Sequence, residues 1–131
     1  MFAEEVVAIR PVTDAAGMSW RPDPSAEVLL LGDSFANIYS LELMNWGGAA
    51  GLAEQLSVAL QRPLDTILRN DDGAYATREI LSCELAQGKD RLTGKKVVVW
   101  QFAARELAVG DWRLLGMTLK QPRRLADSSP R

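Results

Sequence analysis

Two short clusters in the sequence carry residue types suited to acyl chemistry. Gly32-Asp33-Ser34 closes the apolar run Val28-Leu29-Leu30-Leu31. A serine at a strand-to-helix turn exposes its hydroxyl as a nucleophile beside helix-terminal N–H groups that stabilise an oxyanion. Asn70, within Arg69-Asn70-Asp71-Asp72-Gly73, follows a second apolar segment, Leu64 to Leu68, and its side-chain amide is a donor suited to the same oxyanion. Each cluster also has a purely structural reading: Asp, Ser and Asn are favoured helix caps and turn residues, and glycine lets a chain turn sharply. Two such strand ends are more telling together. In a parallel sheet both loops emerge at one edge, so Ser34 and Asn70 are expected to converge although they lie far apart in sequence.

The chemistry lacks a base. The 131 residues contain no histidine, and a serine hydroxyl is a weak nucleophile without one. Losing the base of a serine triad costs on the order of 10⁴ to 10⁶ in rate. Lys95 and Lys96 precede a strand and fall at the wrong edge of the sheet; Asp71 and Asp72 lie at the right edge, but a solvated carboxylate is a poor base at neutral pH. One cysteine, Cys83, and no histidine leave neither an internal disulfide nor a Cys/His zinc site, so no metal and no cofactor are expected. With 15 basic and 17 acidic residues the net charge is −2, too small a field to hold nucleic acid or an anionic membrane.

The elements that must position these residues follow from apolar patterning. Hydrophobic residues make up 47% of the chain and charged residues 24%, the balance of a folded domain. Val6, Val7 and Ile9 predict a short strand ended by Pro11, and the Pro, Gly and Asp content of Thr13 to Ser25 predicts a loop. Val28 to Leu31, apolar without alternation, predicts a strand buried on both faces. Leu52, Leu56 and Leu60 recur every four residues and predict an amphipathic helix closed by Pro63. Leu64 to Leu68 predicts a second strand. A helix from Ala74 carries Ala76, Ile80 and Cys83 on one stripe, with Leu81 and Leu85 beside it, Gly88 near its end and Cys83 as a core thiol. Val97 to Phe102 predicts a third buried strand. Alternating strands and helices imply an α/β fold, three-layer α/β/α around a parallel sheet, with right-handed crossovers. Ligands of such sheets bind beyond the carboxyl ends of the strands. Residues 1–131 read as one domain, with a strand and loop over 1–25, a core over 26–112 and a tail over 113–131 whose end, from Lys120 to Arg131, is frayed and solvated.

Leu30-Leu31-Gly32-Asp33-Ser34-Phe35-Ala36-Asn37-Ile38-Tyr39-Ser40 resembles the nucleophile block of the SGNH hydrolase superfamily, within it the alginate O-acetyltransferase-like branch of bacterial polysaccharide export. The likeness continues through Trp46-Gly47, Ala50-Gly51-Leu52-Ala53, Arg69-Asn70, Ala76-Thr77-Arg78-Glu79, Val99-Trp100-Gln101-Phe102 and Arg105-Glu106-Leu107, covering roughly residues 26 to 112. The resemblance implies a flavodoxin-like α/β/α fold in which Ser34 takes an acetyl group and passes it to a polysaccharide hydroxyl or to water. It implies Gly32 and Asp33 as the turn whose backbone helps form the oxyanion hole, and Asn70 as the oxyanion asparagine. Tyr75 and Arg78 become candidate substrate contacts, with helix packing and a solvated arginine as their plain alternatives, and Trp46 a candidate platform for a sugar ring, with packing as its own.

Two departures from the branch bear on activity. Its Asp-x-His pair is found nowhere in this chain, with only 33 residues before Ser34, and Gln101 stands where an acidic residue is expected. The resulting expectation is a carboxyl-terminal portion of an acyltransferase or acyl hydrolase whose base is encoded upstream. The alternatives are a non-catalytic remnant that binds a polysaccharide or an export protein, and an inert fragment. The resemblance implies a periplasmic or membrane-associated setting, whereas the chain as written has neither a basic, apolar leader nor an apolar run of 18 to 20 residues, which reads as cytoplasmic.

Overall fold

Five consecutive buried residues, Val28–Gly32, form strand β1 at the centre of a three-stranded sheet. In this computed structural model, residue 3 and residues 6–120 are described. Helix α1 (Ser34–Asn37) follows at once, then a 3₁₀ turn (Glu42–Met44), α2 (Leu52–Leu60), β2 (Asp65–Leu68), α3 (Gly73–Ala86), β3 (Val97–Gln101) and α4 (Glu106–Val109). The strand order is β2-β1-β3 and both pairings are parallel, Leu30 facing Thr66 on one side and Val99 on the other. The fold is α/β with helices on both faces of a small parallel sheet, as the alternation of strand and helix predicts.

The pleat sends alternate residues of β1 to opposite faces. Leu29 and Leu31 join Ile67, Leu81 and Leu85 in a core under α3, with Ile80, Leu92 and Trp100 packed against it. Leu30, on the other face, is fully buried, and a Cβ on Gly32 would come within 2.7 Å of Ala36 Cβ and 2.8 Å of Leu68 Cδ2. Position 32 is therefore glycine because α1 and β2 close over it. The chain steps from β1 to β2 on the α1–α2 face and returns across β1 to β3 on the α3 face. The strand order thus reverses between β1 and β3, and the loops leaving them diverge to form the crevice in which such folds bind ligands.

Several expectations are overturned. Val6, Val7 and Ile9 form no strand; Val6 and Val7 are exposed, while Ile9 packs on Gly47 and Val12 N–H donates to Ala49 O. In α2 Leu52 and Leu60 are exposed and Leu56 is half-buried, and the helix buries Ala53, Glu54 and Ser57 instead. Glu54 turns inward because Ser40 Oγ donates to its Oε2 at 2.8 Å, and Ser57 because its hydroxyl donates to Arg62 O. Cys83 is exposed, not a core thiol. β3 is an edge strand and not a buried one, with Val97 50% and Val98 47% exposed.

The stretch 113–120 is held along α3: Arg78 Nη1 donates to Arg113 O, Ser82 Oγ to Gly116 O, and Lys120 N–H to Leu85 O. The frayed end expected from Lys120 to Arg131 falls, apart from Lys120 itself, on residues 121–131, which lie outside the described residues. Among the described residues no helix is long and apolar enough to cross a membrane.

Candidate functional site

At the carboxyl end of β1 the buried side chain of Asp33 organises the turn. Its Oδ1 accepts from Phe35 N–H at 3.0 Å, capping α1, and from Gln101 Nε2 at 2.9 Å. Its Oδ2 accepts from Ala103 N–H at 2.8 Å, and Asp33 N–H donates back to Gln101 Oε1 at 3.1 Å. Asp33 and Gln101 thus form a reciprocal pair that ties the end of β1 to the end of β3. A carboxylate at 101 would offer no donor to Asp33, so glutamine suits this place better than the expected acid. The backbone N–H of Asp33 is consumed in the bracket and that of Phe35 in the cap, and Gly32 lies within the β1 ladder. The expectation that the Gly32-Asp33 backbone lines an oxyanion hole is therefore corrected.

The cap settles which residue is free. Asp33 terminates α1, so Ser34 is its first helical residue rather than its cap. Ser34 is half-buried, and neither its hydroxyl nor its N–H has a hydrogen-bond partner among the described residues. It stands beside the point where the strand order reverses, at the crevice edge.

Asn70, one residue beyond Arg69, leaves β2 at the same edge. Arg69 N–H donates to Gly32 O at 3.0 Å, which keeps the two loops in register. Asn70 caps nothing: α3 begins at Gly73 with Asp72 at the cap position and no side-chain cap bond. Its Oδ1 accepts from Asn37 Nδ2 at 2.7 Å. Asn37 closes α1, three residues after Ser34, and is 6% exposed. The structure therefore links the two predicted loops through Asn37, which sequence reasoning did not single out. An open hollow of about 440 Å³ lies here, lined by Asn37, Leu41, Leu68, Arg69, Asn70 and Asp71.

The remaining candidates separate. Trp46 is 63% exposed and joins none of the aromatic pairs among the described residues. Tyr75 donates its hydroxyl to Glu79 at 2.9 Å, a hydrogen bond that pushes the phenol up from its ordinary value. Arg78 is neither a solvated arginine nor a cleft residue: it donates to the carbonyls of Asp111 and Arg113 and lies 5.4 Å from the Trp100 ring centroid and 5.6 Å from that of Trp112. It fastens the backbone of Asp111 and Arg113 beside the aromatic cluster of Trp100, Phe102 and Trp112.

Neither group of substitute bases is placed for the task. Asp71 receives a two-pronged contact from Arg69, whose hydrogen bond holds its carboxyl below the usual carboxylate range. Lys95 is buried at the opposite edge, with Nζ 3.1 Å from Asp65 Oδ2 and donating to Pro24 O and Ala26 O. Glu106 occupies the start of α3, accepting from Ala74 N–H at 3.2 Å. Among the described residues no group of three or more His, Cys, Asp or Glu is placed to hold a metal ion. No protein-family model, curated protein or solved structure matches the chain.

Proposed function

We propose that the chain carries the nucleophile side of a serine-dependent acyl-transfer site whose general base comes from outside these 131 residues. Ser34 Oγ attacks the carbonyl of an acetyl ester, the Oγ–acyl bond forms and the ester C–O bond breaks. The hydroxyl proton passes to the external base and on to the leaving alkoxide. A polysaccharide hydroxyl, or water, then attacks the acyl group, gives its proton to the same base, and Ser34 recovers its own. The observation that carries this reading is the division of labour at the turn: Asp33 takes the cap, leaving Ser34 unengaged at the strand-order reversal. The acetyl group and the polysaccharide acceptor rest on the likeness of the serine block to the acetyltransferase branch, as does an association with export proteins.

Added imidazole tests the reading by standing in for the base. Hydrolysis of an activated aryl acetate is followed against imidazole concentration for the wild-type chain and for Ser34→Ala. The wild type is predicted to show an imidazole-dependent rate about tenfold or more above Ser34→Ala, tracking the neutral fraction of the imidazole as pH rises. Equal rates for the two chains would remove Ser34 from the reaction.

The absence of histidine favours one second reading, a non-catalytic module that uses the same edge to hold a polysaccharide or a partner. Titration with plain and acetylated glycans separates the two. A binding module holds glycan equally well after Ser34→Ala and shows no rescue by imidazole.

A further inference from the structure

We infer that Asn37 is a positioning residue: its side-chain amide sets the direction of the Asn70 amide, so that Asn70 Nδ2 is presented to the oxyanion that forms at Ser34. The inference rests on the reading of Ser34 as nucleophile and adds to it the device that aims the oxyanion donor. A primary amide is planar, with an acceptor on one side and two donors on the other. Once Asn37 Nδ2 donates to Asn70 Oδ1 at 2.7 Å, the Asn70 oxygen is committed and its nitrogen points away from Asn37. That nitrogen has no partner among the described residues.

Asn70 itself is exposed and lies in the short connection between β2 and α3, whereas Asn37 is buried at the end of α1. The buried partner is therefore the fixed one, and the exposed partner is the one being held. Two further facts make the aim matter. The Asp33 and Phe35 N–H groups are already bonded, so the donors left at this turn are Ser34 N–H and the Asn70 amide. Asn37 also shares α1 with Ser34, so one short element carries both the nucleophile and the group that orients the donor.

Asn37→Asp is the discriminating variant, because it keeps the shape and inverts the polarity. An aspartate accepts and cannot donate, so it turns the Asn70 amide round and aims its oxygen at the acyl group. Imidazole-assisted acetylation of Ser34 is predicted to fall about 100-fold or more in Asn37→Asp, the range seen when one oxyanion donor is lost. Asn37→Ala, which frees Asn70 without reversing it, is predicted to fall less. In an Asn70→Ala background, Asn37→Asp is predicted to add almost nothing, since a residue that acts through another shows this non-additivity. Side-chain amide NMR reads the pairing without chemistry: the Asn37 amide protons are predicted to be protected from exchange and those of Asn70 not.

Equal acetylation in wild type and Asn37→Asp would overturn the inference and leave the serine reading standing. Additive losses in the Asn70→Ala background would also overturn it, and so would an Asn37 amide no better protected than that of Asn70. If Asn37→Asp does not fold, Asn37→Ala carries the test in its place, with a loss expected in the wild-type background and almost none in the Asn70→Ala background, and equal losses in the two overturning the inference. No acetylation of Ser34 in the wild type would instead overturn the serine reading, and the catalytic role of Asn37 with it.

Discussion

Asp33 accepts three hydrogen bonds and its own N–H makes a fourth, and this one buried side chain assigns the roles around it. By capping α1 it releases Ser34, and by pairing with Gln101 it locks the end of β1 to the end of β3. Charge-assisted bonds of this kind are stronger than neutral ones, and a buried charge left without its donors is costly. Gln101→Glu would set two carboxylates within hydrogen-bonding distance and remove the Nε2 donor. It is predicted to destabilise the fold by about 3 kcal/mol at neutral pH, with Gln101→Met costing less, as measured by urea denaturation. A Gln101→Glu variant as stable as wild type would mean that Asp33 does not depend on this pairing. The cap and turn at Asp33 were legible in the sequence, because caps are local. Its partner lies 68 residues away, a contact no local pattern announces. Asn37 was missed for a related reason: its position in the serine block was plain, but its partner, Asn70, is 33 residues on.

At the scale of elements, what could be read depended on whether local pattern or neighbourhood decides burial. β1 is buried on both faces and stands in the middle of the sheet, and an unbroken apolar run reports that directly. β3 has the stronger β-forming residues, yet its place at the edge leaves Val97 and Val98 exposed, and strand propensity carries no information about place. In α2 the apolar spacing marked a helix but not its inward face: small Ala53 and Ser57 and the bonded Glu54 turn inward, Leu56 is half-buried, and Leu52 and Leu60 are left outside.

The strand starts are tied by charge rather than by apolar contact. Asp65, at the start of β2, meets Lys95 at 3.1 Å and Arg91 at 2.7 Å, and Arg91 also reaches Glu84 of α3 at 2.6 Å. The Lys95 side chain is only 4% exposed. Lys95→Met would remove the cation paired with a buried carboxylate and the donor to two carbonyls, and is predicted to cost about 3 to 5 kcal/mol in thermal or urea unfolding. A loss under about 1 kcal/mol would show that Arg91 alone satisfies Asp65. Because this cluster sits at the edge opposite Ser34, the variant tests the scaffold and not the chemistry.

At the scale of the whole molecule, the fold places the loops of Ser34 and Asn70 at one edge, as parallel topology requires, with a hollow beside Asn70. A missing histidine excluded a complete triad from the sequence alone. The structure sharpens that exclusion, because Asp71 is held by Arg69 and Lys95 is sealed at the far edge. The central claim is that Ser34 is the nucleophile of an acyl transfer completed from outside the chain, and the most direct measurement is where an acetyl group lands. The wild-type chain is treated with an activated acetyl ester and imidazole, quenched in acid, digested and mapped by mass spectrometry. The predicted result is acetyl on the peptide containing Ser34, well ahead of Ser19, Ser25, Ser40, Ser57 and Ser82 and lost in Ser34→Ala; labelling of Ser34 no faster than of those other serines would contradict it.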